Sequence, residues 1–152
     1  MKRLCSTLLC MIVLIGVAVM PAEAVDNADA LGQVAVEETI VVGNRVATAG
    51  TVAVPLSGST IVPVTKSKKY TTSGKVIANI AVTAEFSYNG SSVKVLSKKV
   101  SKKEVYSGWS FTQSSFTSSG GTVTLKGSLK KTGVSAIPVS IKITCDKNGN
   151  IS

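Results

Sequence analysis

VIANIAVTAEFSYNG, residues Val76–Gly90, is the stretch that decides the fold class. Val76, Ala78, Ile80, Val82, Ala84, Phe86 and Tyr88 place an apolar side chain at every second position. Successive side chains of a strand point to opposite faces, so this spacing predicts a strand with one face buried. Asn89-Gly90 follows at once, a pair that tolerates the positive φ angles of a tight hairpin turn. A hairpin closed there sets Phe86 opposite Val93 and Ala84 opposite Val95, which matches apolar faces across the pair.

The same grammar continues toward the C-terminus. Gly120-Gly121 predicts a second hairpin, with Ser118 opposite Val123 and Phe116 opposite Leu125. Val123, Leu125 and Leu129 line one face of the strand that follows, with Gly127 between them, and Lys130-Lys131-Thr132-Gly133 turns the chain. The last strand alternates again. Ile137, Val139, Ile141, Ile143 and Cys145 share one face, and Pro138, Ser140, Lys142 and Thr144 the other. Pro138 has no N–H to donate, so its stretch belongs at a sheet edge or a bulge. Asp146–Asn150 reads as a closing turn. It has the spaced Asp and Asn of a calcium loop, but Gly149 comes two residues early and no downstream Glu follows.

Val105, Trp109 and Phe111 share a parity, and Gly108 reads as a bulge. Lys94–Val105 fits either a strand or, around Val100, one exposed helical turn. The hairpin argument requires strand at least to Ser97. Short strands punctuated by turns about every 8–12 residues predict an all-β fold, an immunoglobulin-like antiparallel β-sandwich over Thr60–Ser152. The Cys-Trp-Cys core of true immunoglobulin domains is absent, so the prediction concerns architecture alone.

The N-terminus is different in kind. Lys2 and Arg3 precede an unbroken apolar run, Leu8–Val19, which Pro21 ends before Ala22-Glu23-Ala24. A basic start, a short apolar run and an A-x-A site make a secretory signal peptide, residues 1–24, cleaved after Ala24. The run is shorter than the roughly 20 residues a bilayer core requires, so no transmembrane span is expected in the mature form. Nor is there a wall-sorting motif of the LPxTG type. Residues 25–59 form an extended or weakly structured N-terminal segment, rich in Ala, Val, Gly and Thr, in which Glu38–Val42 reads as a short strand or extended arm. This segment holds Asp26, Asp29, Glu37 and Glu38 against a single basic residue, Arg45. The expected location is secreted, with association at the cell surface.

Composition narrows the chemistry. The chain has no histidine, which excludes Ser-His-Asp and Cys-His catalysis and histidine metal sites. After Thr60 the carboxylates are Glu85, Glu104 and Asp146, and nothing in the sequence brings two of them together as a glycosidase requires. No catalytic residue, metal site or cofactor is expected, and the chain reads as a non-enzyme. Removal of the leader would leave Cys145 as the one cysteine. It should be a buried small hydrophobe, since it continues the apolar face of the last strand.

Positive charge is the informative feature. Lys and Arg number 17 against 8 Asp and Glu, a net +9. Leader removal takes two positive groups and one negative, which lowers the net charge from +9 to +8. The lysines cluster as Lys66, Lys68 and Lys69, as Lys98, Lys99, Lys102 and Lys103, and as Lys130 and Lys131. All three groups are expected at strand ends or loops. Lysine acts as a point charge and arginine as a bidentate fork, so this choice suits loose attraction to a polyanion and argues against sequence-specific nucleic-acid recognition. The expected partner is an anionic cell-wall polymer or an acidic polysaccharide. Solubility and edge protection are the competing use of the same charge. Two other functions remain open. One is a carbohydrate-binding module stacking sugars on Trp109, Tyr106 and Tyr88; the other is an inhibitor or toxin-like effector.

Phe86–Gly90, Ser107–Ser110 and Ile143–Asn150 together resemble small secreted β-sandwich proteins of gut Gram-positive bacteria, a likeness that spans about Thr60–Ser152. The resemblance implies bacterial secretion and an all-β fold, and brings no functional residue with it.

Overall fold

The computed structural model describes residues 33–43, 45–47, 52–53, 59–106 and 108–152. The expected leader, residues 1–24, lies outside them. Among the described residues every regular element is a strand. β1 (Val34–Val42), β2 (Arg45–Ala47), β4 (Thr60–Thr72), β5 (Lys75–Tyr88) and β6 (Val93–Val105) form one antiparallel sheet, ordered β2-β1-β4-β5-β6. β7 (Ser110–Ser119), β8 (Thr122–Lys131) and β9 (Val134–Thr144) form the second, in that order. β3 (Val52–Ala53) and β10 (Asn150–Ile151) make a two-stranded ribbon.

The two sheets share one apolar core. Val62 and Val64 of β4, with Ile80, Val82, Phe86 and Tyr88 of β5, pack in one cluster with Val123, Leu125 and Leu129 of β8 and Val139, Ile141 and Ile143 of β9. Each large apolar side chain so buried contributes about 1.5–3 kcal/mol. The architecture is therefore all-β and sandwich-like. Within β4-β5-β6 and β7-β8-β9 the neighbours are consecutive strands, a meander, whereas immunoglobulin sandwiches use Greek-key connections.

The structure moves the start of the first sheet upstream of Thr60. β1 pairs with β4 over its whole length, from Val34–Thr72 to Val42–Val64, and buries Ile40 and Val42. Alternation in VAVEETIVV sets Val36, Glu38, Ile40 and Val42 on one face, and the two carboxylates interrupt an otherwise readable strand.

The Asn89-Gly90 hairpin forms with a different register. Tyr88 pairs with Val93 and Phe86 with Val95, because the loop is four residues, Asn89–Ser92. Asn89 Oδ1 accepts the N–H groups of Ser91 and Ser92 at 3.1 and 2.9 Å and closes that wider loop. The slip is two residues, so every side chain keeps its face. Alternation in β5 holds from Ala78 to Tyr88. At its start a bulge opposite Tyr70 and Thr71 turns Ile77 inward and leaves Val76 exposed. Lys94–Val105 is strand throughout. Leu96 and Ser101 have no partner in the β5 register, and these two bulges break the parity that would have identified the strand.

The second hairpin has the expected pairs, Ser118–Val123 and Phe116–Leu125. Its turn needs both glycines. Gly120 takes a φ of +54°, and a Cβ on Gly121 would lie 2.1 Å from the Cys145 carbonyl oxygen. Val139, Ile141, Ile143 and Cys145 are buried, with Ile137 packed beside them. β9 is the edge of its sheet, where Pro138 is tolerated. Gly108 is a turn residue, not a bulge: its φ is +79°, and the Trp109 N–H donates to the Tyr106 carbonyl at 3.1 Å, joining β6 to β7.

Candidate functional site

The nine lysines singled out by clustering fall into three different environments. Lys66, Lys68 and Lys69 lie in the middle of β4, not at a strand end or in a loop. Lys66 and Lys68 share the core-facing parity of Val62, Val64 and Tyr70. Glu38 lies between them: Lys66 Nζ is 2.8 Å from one carboxylate oxygen and Lys68 Nζ 3.1 Å from the other. The register sets Glu38 opposite Lys68 and Glu37 opposite Lys69, and Glu37 pairs with Lys69. Lys66 is 9% exposed, so its charge is withheld from solvent and met inside the sheet. Burial pushes the Glu38 carboxyl upward, and the Lys66 and Lys68 ammoniums outweigh it, so the net shift is downward. Burial, with Glu38 adding to it, pushes the Tyr70 hydroxyl up to about 12.

Lys98, Lys99, Lys102 and Lys103 lie within β6. Lys98 follows the inward parity, opposite Ala84, and crosses to the other sheet. Its Nζ donates to the Phe116 carbonyl at 3.0 Å and to Ser118 Oγ at 3.2 Å, and lies 5.1 Å from the Phe116 ring centre. Lys102 pairs with Glu104 at 3.1 Å. Lys99 and Lys103 are exposed and, among the described residues, have no carboxylate partner.

Lys130 and Lys131 end β8 and are exposed, as a strand end predicts. Ser110 pairs with Lys130, so the Tyr106–Trp109 turn and the end of β6 lie at the same end of the molecule. Lys131 Nζ stands 5.9 Å from the Trp109 ring centre. Trp109 is half-buried against the core, while Tyr106 is 47% exposed and donates its hydroxyl to Glu104 at 3.3 Å. Tyr88, the third aromatic residue considered for sugar stacking, is 1% exposed and belongs to the core. The topology thus brings Lys103, Lys130, Lys131, Trp109 and Tyr106 to one end, from segments that sequence clustering treats separately.

The carboxylates after Thr60 stand apart. Glu85 accepts from Ser97 Oγ at 2.8 Å on the outer face, and Glu104 pairs opposite Asn79. Asn79 and Glu85 are six residues apart along β5, about 20 Å at strand spacing. Asp146 Oδ1 takes the N–H groups of Asn148 and Asn150, and Oδ2 takes the Asn150 amide, so both oxygens are engaged by their own loop. No group of three or more His, Cys, Asp or Glu that could hold a metal occurs among the described residues. Cys145 is a free, buried thiol whose Sγ donates to the Asp146 carbonyl at 3.4 Å; burial and then Asp146 push it up to about 11.

The reading by clustering missed Glu38 as the counter-ion of β4 and Lys98 as a link between sheets. The shared parity of Lys66 and Lys68 with Val62, Val64 and Tyr70 was a signal available in the sequence. No family model, curated protein or solved structure matches the chain. Among the described residues no helix is long and apolar enough to cross a membrane.

Proposed function

We propose that the chain is exported, loses residues 1–24, and acts as a non-enzymatic binding protein for an anionic cell-wall polymer or acidic polysaccharide. The observation that carries this reading is the sorting of the lysines. Those of β4 are paired with Glu37 and Glu38, while Lys103, Lys130 and Lys131 lie at the end of the molecule that holds the Tyr106–Trp109 turn, with no carboxylate partner among the described residues. A cluster of exposed point charges attracts a polyanion without selecting its sequence, and salt weakens the attraction as the Debye length falls below about 10 Å.

The test is retention of the purified chain on immobilised teichoic acid and on an acidic polysaccharide, at low and high salt. Retention should fall with salt, and a Lys130→Ser/Lys131→Ser double variant should elute earlier than Lys66→Met. Salt-independent retention, no retention at low salt, or equal loss from both variants would overturn the reading. Exposure of Tyr106 beside half-buried Trp109 favours a second contribution from sugar stacking. Tyr106→Ala should then reduce binding of the polysaccharide and spare teichoic acid.

A further inference from the structure

β6 and β7 are each an edge strand of their sheet, and they are protected in opposite ways. An edge strand offers unpaired N–H and C=O groups to any passing chain, and charged side chains are a common defence. β6 carries Lys94, Lys98, Lys99, Lys102, Lys103 and Glu104. β7, SFTQSSFTSS, carries no charged residue at all. Each of the other long strands has at least one: Glu37 in β1, Lys66 in β4, Glu85 in β5, Lys126 in β8 and Lys142 in β9.

Among the described residues, an ammonium group from the opposite sheet reaches the β7 edge. Lys98 Nζ lies 3.0 Å from the Phe116 carbonyl oxygen, where the N–H of an adjacent strand would stand. Beside it a shallow groove of about 340 Å³ runs between the two edges, lined by Val93, Lys94 and Val95 of β6 and by Ser118, Ser119 and Gly120. Backbone acceptors, a partly apolar lining and two lysines, Lys94 and Lys98, therefore meet at this edge.

We propose that the β7 edge is a docking site for an extended acidic peptide, which adds to the second sheet as a further strand. A peptide N–H replaces the Lys98 ammonium on the Phe116 carbonyl, and the released ammonium moves onto a peptide carboxylate. Main-chain hydrogen bonds then supply affinity, and the lysines of β6 select for acidic side chains. A second copy of this chain is disfavoured as occupant, because its own β6 would bring like charges against these lysines. The proposal does not depend on polymer binding at the Tyr106–Trp109 end.

The experiment is fluorescence polarisation of the full chain against three labelled peptides at low salt: TETETETETE, the same peptide N-methylated at every residue, and TKTKTKTKTK. The methylated peptide keeps every charge but cannot donate to a sheet edge. The acidic peptide should bind at least about tenfold tighter than its methylated form, and the basic peptide should not bind. Ser118→Pro removes a main-chain donor at the edge and should weaken the acidic peptide by a similar factor; the peptide comparison stands on the unaltered chain whether or not this variant folds. Equal binding of the acidic peptide and its methylated form would reduce the site to charge alone and overturn the proposal. So would no binding by either, or a dimer in sedimentation that the acidic peptide does not dissociate.

Discussion

β4 and β8 both carry runs of lysine, and the two runs live in opposite circumstances. Lys66 and Lys68 point between the sheets and share one carboxylate, Glu38, from the neighbouring strand. Lys130 and Lys131 end their strand in water, beside an aromatic turn. A buried ion pair contributes little net stability but is costly to break, because removal of one partner leaves the other charge without water or counter-ion. Exposed lysines cost almost nothing to keep or remove. Identical side chains therefore hold the sheet together in one place and remain available to a partner in the other.

The largest test of this contrast is Glu38→Ala. It leaves Lys66 buried without a partner and should cost about 2–3 kcal/mol in urea unfolding, somewhat below the 3–5 kcal/mol of a fully buried pair because Glu38 keeps some contact with water. Glu38→Ala together with Lys66→Met should recover most of that loss. A cost under about 0.5 kcal/mol for the single change would show that Lys66 escapes to solvent.

Acid reaches the same pair without mutation. The folded state holds the Glu38 pKa below its ordinary 4.5, so between the two values the unfolded chain binds more protons. The stability this supplies is complete above about pH 4.5 and disappears as pH falls through the lowered value. Glu38→Gln should flatten this part of the stability–pH curve, and an unchanged acid limb in that variant would break the comparison. At the alkaline end the sign is reversed. Tyr70, raised to about 12, keeps its contribution below its ordinary 10.0 and loses it as pH rises, so Tyr70→Phe should resist alkaline unfolding better than the native chain.

Glu37→Ala sharpens the contrast within β4 itself. The Glu37–Lys69 pair is more exposed than the Glu38 pairs, with 43% of the Lys69 and 58% of the Glu37 side chain open, and its loss should cost no more than about 0.5 kcal/mol. Smallest of all is the effect of Lys130→Ser/Lys131→Ser on stability, expected within about 0.5 kcal/mol in thermal unfolding. A large loss there would mean that Lys131 holds Trp109 in place and that the turn is a structural element first.

Local pattern made the strands legible wherever each side chain kept strict alternation. Ala78–Tyr88 and Ile137–Cys145 show it, and so does the Gly120-Gly121 hairpin with its register. β6 was obscured because Leu96 and Ser101 each insert one residue, which flips the parity twice within a single strand. The Asn89 hairpin closed two residues wider than the dipeptide suggests, because the Asn89 side chain holds a four-residue loop. Of β1 the sequence shows only a short strand or extended arm over Glu38–Val42, because Glu37 and Glu38 interrupt its apolar alternation and their counter-ions lie some thirty residues away in β4.

The sequence by itself determined that this chain alternates into strands, turns at glycines, contains no histidine, and carries its positive charge on lysine. Those are properties of neighbours along the chain, where periodicity and φ preference act over a few residues. Which lysines keep their charge open to a partner was decided only by the tertiary structure. Glu38 reaches Lys66 through strand pairing, Lys98 reaches Phe116 across the space between the sheets, and Lys103 is brought to the end that holds Lys130 by the turn into β7. Electrostatic energy depends on distance and desolvation in space, and neither is encoded in spacing along a chain.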